Sequence, residues 1–161
     1  RRRSMSAAPQ RLPPPSNPAL APVLAAVVYG ALVVATWGFM SLALDRDVID
    51  YPDAGPLLGP TMAVAASLVT FFALRNRSVR AWAAALLAAS GSYLAMVAVS
   101  GIGYAITRAD AAWMLLSGAH AALSPFVAAA AGLSALVVVA FRLVERGSAP
   151  RERAAHGPPT I

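Results

Sequence analysis

An all-α fold, a four-helix transmembrane bundle with both termini cytoplasmic, is what this sequence predicts, and three observations predict it. The stretches 20–44, 57–74, 81–107 and 111–141 contain no Asp, Glu or Arg, in a chain with no lysine at all. Each is long enough to cross a hydrocarbon core of roughly 30 Å at about 1.5 Å of helix rise per residue. Eleven of the thirteen arginines fall on one side of these spans once the spans alternate in direction, and basic loops are retained on the cytoplasmic side. Finally, 58% hydrophobic against 12% charged residues leaves too little polar side chain to cover a soluble domain of this length.

Residues 1–19 carry Arg1, Arg2, Arg3, Arg11 and the run Pro13-Pro14-Pro15, and this basic, proline-rich composition reads as a disordered tail. With Met5 taken as the start of translation, eight arginines would still oppose two. A basic N-terminus ahead of an apolar run also begins a signal peptide, and Ser41-Leu42-Ala43 loosely fits a cleavage site. The run before it far exceeds a signal core of about 7–15 residues, so span one is expected to be retained.

The loop after span one holds Asp45, Arg46, Asp47, Asp50 and Asp53. It is the most individual segment of the chain and the candidate interaction loop. Clustered carboxylates suit Ca²⁺, but the spacing lacks the glycine and closing glutamate of an EF-hand loop. A solvated acidic loop without a metal is therefore expected. Pro52, Gly55, Pro56, Gly59 and Pro60 turn the chain rigidly into span two. A basic loop with Arg75, Arg77 and Arg80 joins spans two and three. Trp82 on that side, and Tyr104 and Trp113 on the other, sit where spans meet the bilayer interface.

Spans three and four are over-long, roughly 40 and 46 Å as continuous helices, so tilt or a break must absorb the excess. Pro125 is the place for it in span four. It either kinks one helix or divides a short re-entrant segment from a second helix, begun at Pro125 and capped by Ser124. The kinked helix is the expectation, because proline kinks are common in membrane helices. Ser124, Ala128 and Gly132 recur at four-residue spacing and form a candidate helix-packing stripe. Gly91 with Ala95, and Gly101 with Ala105, repeat the pattern on span three. Whether such faces meet within one molecule or between two stays open. Residues 142–161, with Arg142, Arg146, Arg151 and Arg153, read as a second disordered basic tail.

The spans carry little chemistry. A charged side chain at membrane depth costs about 2.5–3.5 kcal/mol and marks function where it occurs, but apart from tyrosines the spans offer only His120, the candidate intramembrane polar site. A lone imidazole can sense pH or ligate a metal, yet a zinc site takes three or four protein ligands and the chain has no cysteine. A neutral His120 hydrogen-bonded to Ser117 or Ser124 is expected, with no metal and no cofactor. No carboxylate orients Ser117 and His120 as a catalytic pair, so no enzyme activity is expected. Small four-span multidrug exporters have a similar length and span number, but their coupling carboxylate in the first span has no counterpart in 20–44. The arginines bracket spans instead of alternating with aromatics, which points to anionic lipid headgroups on the cytoplasmic face as partner and not to nucleic acid.

The string Leu44-Asp45-Arg46-Asp47-Val48-Ile49, continued by Pro52-Asp53-Ala54-Gly55-Pro56-Leu57-Leu58-Gly59-Pro60, resembles the signature of an uncharacterised actinobacterial family of small four-span membrane proteins. The resemblance covers the spans, 20–141, and implies the fold and a multi-pass address in a bacterial plasma membrane. It implies no activity. The expected function is an accessory or interaction subunit without catalysis, binding a larger membrane complex or its own copies. Passage of a neutral or apolar solute, as a small transporter or channel, is the alternative.

Overall fold

The computed structural model describes residues 20–49 and 56–155. Five helices follow one another: α1 Leu20–Leu44, α2 Leu58–Arg75, α3 Ala81–Arg108, α4 Ala112–Leu123 and α5 Pro125–Ala155. No strand occurs among the described residues. Proline stands in the first turn of α1 (Pro22), α2 (Pro60) and α5 (Pro125), where its missing N–H removes no helical hydrogen bond. Helices α1, α2, α3 and the Pro125–Gly147 part of α5 are each long and apolar enough to cross a membrane.

The fourth apolar run is divided where a single kinked helix was expected. Ser124 is extended, with φ −71° and ψ 127°, so the chain leaves α4 outright and starts α5 afresh. Two causes coincide there. Proline disfavours a helical conformation in the residue before it, and it supplies no N–H to continue the ladder. At about 1.5 Å per residue the twelve-residue α4 reaches roughly 18 Å, too short to span a bilayer. It lies instead along the second half of α3. A Cβ built on Gly101 would stand 2.8 Å from the Met114 carbonyl oxygen, and one on Gly118 3.8 Å from that of Val97. Tyr93 donates to the Ala122 carbonyl at 2.6 Å.

Of the expected second tail, residues 142–161, the part up to Ala155 continues α5 as helix, and residues 156–161 lie outside the described residues. This extension of α5 is held by contacts with the loop between α2 and α3. Arg77 pairs with Glu145 at 2.9 Å, and Arg142 donates to the Asn76 carbonyl at 2.6 Å. Together with the composition of Arg142-Leu143-Val144-Glu145-Arg146, mostly good helix formers, these ties carry the helix past the apolar run.

A tight corner joins α3 to α4. Ala109 is left-handed (φ 52°), its N–H bonds to the Ile106 carbonyl and that of Asp110 to the Ala105 carbonyl, closing a Schellman turn. Asp110 then accepts from the Ala112 N–H through Oδ1 at 2.9 Å and starts α4. Glycine is the usual residue at such a corner, since a Cβ in the left-handed region costs about 1 kcal/mol. Ala109→Gly is therefore expected to stabilise the protein by about 0.5–1 kcal/mol, read as a higher thermal midpoint in detergent. An unchanged or lower midpoint would contradict this account of the corner.

Packing is densest on one stripe of each helix. On α1 the buried positions are Pro22, Ala26, Tyr29, Val33 and Trp37, a three-and-four spacing that lines one face. Tyr29, Val33 and Trp37 pack with Leu58, Met62 and Ala66 of α2, Met96 and Tyr104 of α3, and Phe126, Val127 and Ala130 of α5. A second cluster, Leu74, Ala84, Ala85, Ala88 and Val138, fills the arginine-rich end. Two side chains of α1 clasp the backbone of α5: Trp37 Nε1 donates to the Phe126 carbonyl at 2.9 Å, and the Tyr29 hydroxyl to that of Ala130 at 3.1 Å. The outer faces remain apolar, as at Leu24, Val27, Phe39, Leu86 and Leu136, which suits a hydrocarbon surrounding.

Candidate functional site

Two groups of polar side chains stand out from this apolar frame, one inside the bundle and one at the end opposite the arginine-rich loop. The inner group takes one residue from each of the four long helices. Thr70 of α2 and Ser134 of α5 are 2.8 Å apart through their hydroxyls, Ser92 of α3 lies 3.1 Å from Ser134, and all three are fully buried. The Tyr29 hydroxyl neighbours those of Ser92 and Thr70 from α1. Thr70 also donates to the Ala66 carbonyl at 2.9 Å. A hydroxyl without a partner is costly in such surroundings, and here each meets another oxygen, so the cluster joins the helices by mutual satisfaction.

The outer group brings together residues from both candidate regions of the sequence. Arg46 and Asp47 of the interaction loop, His120 and Leu123 of α4, and Ser124 with Pro125 at the break line a cleft of about 240 Å³. The loop reaches this position because Asp45 takes a left-handed conformation (φ 49°) at the end of α1, which aspartate tolerates better than most residues. The Arg46 N–H then bonds back to the Ser41 carbonyl, and the Ser41 hydroxyl donates to the Arg46 carbonyl at 2.7 Å. Val48 and Ile49 pack down on the core cluster and anchor the loop over the bundle. His120 is exposed. Ser117, one of its two expected partners, spends its hydroxyl proton on the Trp113 carbonyl at 2.7 Å.

Other expected site residues are placed differently. Asp50 and Asp53 lie outside the described residues. Among the described residues no three His, Asp or Glu side chains gather. Ser124 lines the cleft, but Ala128 and Gly132 face outward, and a Cβ on Gly132 would meet nothing within 4 Å. The packing stripe is thus not used inside the molecule. The buried face of α5 runs instead through Phe126, Ala130, Ser134, Val138 and Arg142, two residues out of register with it. Beside the cleft's end of the bundle, Arg108 stands over the rings of Tyr104 and Trp113 at 5.6 and 5.4 Å, a cation–π stack that secures the α3–α4 corner. The inner hydroxyl cluster escaped sequence reasoning. Its only signal was a serine or threonine deep in each of spans two to four, and the same spans hold others, such as Ser67, Ser90 and Ser117, that do not join the cluster.

Among the described residues, fold and site together define an all-helical protein with four helices long and apolar enough to cross a membrane. The chain belongs to a family of unknown function, DUF6121, whose model matches residues 17–160. This membership agrees with the uncharacterised family that the loop string resembles. No curated protein and no solved structure matches the chain.

Proposed function

We propose that the protein is a multi-pass subunit of a bacterial plasma membrane, with both termini in the cytoplasm, that binds another membrane protein and performs no catalysis itself. The observation that carries this reading is the outer cleft, where Arg46 and Asp47 meet His120 and Ser124 at the α4–α5 break. Charged side chains of both signs are held there on an anchored loop, beside the exposed apolar Leu123. Such a surface offers a partner apolar contact and charge-set orientation together. The inner hydroxyls are engaged with one another and with backbone carbonyls, which suits packing better than substrate binding.

The test is affinity purification of a tagged copy at native expression in mild detergent, with recovered proteins quantified by mass spectrometry. Stoichiometric recovery of one membrane protein, lost in an Arg46→Glu, Asp47→Lys double variant that still purifies folded, is the expected result. Recovery of the chain alone would overturn the reading. The break at Ser124 supports a second one, since discontinuous helices line the solute sites of transporters. Uptake of a neutral solute by proteoliposomes, abolished by closing the break with Pro125→Ala, would favour that alternative.

A further inference from the structure

We propose that the arginine-rich end carries a built seat for the phosphate of an anionic phospholipid headgroup, formed by Arg77, Arg80, Arg142 and Arg146. These four guanidiniums line one cleft of about 350 Å³ between the α2–α3 loop and α5, against a single carboxylate, Glu145. Glu145 is engaged by Arg77 at 2.9 Å, which leaves three cations facing the cleft without a carboxylate of their own among the described residues.

Arg142 points to a ligand most directly. It is the most buried member, 9% exposed, and forms the floor of the cleft. One of its nitrogens donates to the Asn76 carbonyl at 2.6 Å, a neutral acceptor that does not balance the charge. Its Nε is buried with no hydrogen-bond partner among the described residues. A cation withdrawn from water and left unbalanced is costly, and an anion in the adjoining cleft would remove that cost. The backbone adds to the attraction. Helix α3 begins at this cleft with Ala81, and its N-cap, Arg80, makes no side-chain capping bond. The first N–H groups of a 28-residue helix and the positive end of its dipole therefore favour an anion at the same place.

A phosphate is the chemistry this arrangement suits, because guanidinium forks and helix N-termini both bind its oxygens. The lipid is the natural source, since the exposed Trp82 stands one residue beyond the cleft lining, marking this level as the bilayer interface. Basic pockets between transmembrane helices hold anionic headgroups in this manner. The inference rests on the membrane reading above.

The full-length protein, extracted in mild detergent and delipidated, would be titrated with phosphatidylglycerol, with phosphatidylcholine, and separately with glycerol 3-phosphate and inorganic phosphate, and bound adducts counted by native mass spectrometry. Phosphatidylglycerol is expected to bind selectively, and the Arg80→Gln, Arg146→Gln double variant, altered only at exposed positions, to lose about thirtyfold in affinity. Arg142→Gln should lose at least as much while folded. Should that variant fail to fold, the exposed pair decides. Equal retention of both lipids, or wild-type affinity in the exposed pair, would overturn the proposal. Saturation by either soluble phosphate at the affinity of phosphatidylglycerol would overturn the lipid as source. Recovery in alkali-washed membranes is scored separately. A protein that stays there and binds both lipids alike loses only the headgroup seat, whereas one released by the wash loses the membrane reading itself.

Discussion

Trp37→Ala is expected to cost about 3–5 kcal/mol, the largest loss from any single side chain of α1. The indole is almost fully buried and serves two functions at once. It fills the space between α1, α2 and the start of α5, and its Nε1 holds the carbonyl of Phe126, the second residue of α5, at 2.9 Å. Helices surrounded by lipid gain little from hydrophobic exclusion, so tight packing and such bonds supply most of their association. Trp37→Phe separates the two contributions, because it keeps most of the volume and deletes only the donor. A loss of about 1 kcal/mol is expected for it. Unfolding in mixed detergent micelles, followed by circular dichroism, measures both. Similar losses for the two variants would assign the stability to the hydrogen bond and refute the packing account.

The second large effect is expected where α3 and α4 touch. At Gly101 a Cβ would stand 2.8 Å from the Met114 carbonyl oxygen and 3.7 Å from the Gly118 Cα. A backbone oxygen cannot swing aside as the end of a side chain can. Gly101→Ala is expected to cost about 1–3 kcal/mol as the two helices separate, and Gly101→Leu to unseat α4, opening residues 109–124 to protease. Gly132→Ala is the control. It has open space at the Cβ and should be neutral or stabilising by up to about 1 kcal/mol, the helix preference of alanine over glycine. Equal behaviour of Gly101→Ala and Gly132→Ala would remove the close approach as the reason for glycine here.

The fold class was legible because its causes are local. An uninterrupted apolar run needs only its own backbone bonds to become a helix in lipid, and the charges that end it are its neighbours in sequence. Helices α1 and α3 accordingly begin at Leu20 and Ala81, where the apolar runs begin. The break at Pro125 was visible as a place but not as a kind. Whether a proline kinks or divides a helix depends on what receives the chain on either side, and here α4 had α3 to lie against while α5 was held by Trp37 and Tyr29. The helical stretch beyond Phe141 was missed for the same reason, since its ties to Asn76 and Arg77 are 66 and 68 residues away in the chain.

The candidate site divides along that line. The acidic loop and His120 were each visible as unusual residues, and their meeting in one cleft was not. By itself the sequence determined how many helices are long and apolar enough to span, where most of them begin, and which loops collect arginine or aspartate. Only the tertiary structure decided which face of each helix is inside. In a soluble protein the polar face identifies its opposite as core, but a helix in lipid is apolar on both sides, so that contrast is lost. Ala128 and Gly132 face outward while Ala130 and Ser134 are buried, and alternating small residues along a single apolar helix contain nothing that tells one pair from the other.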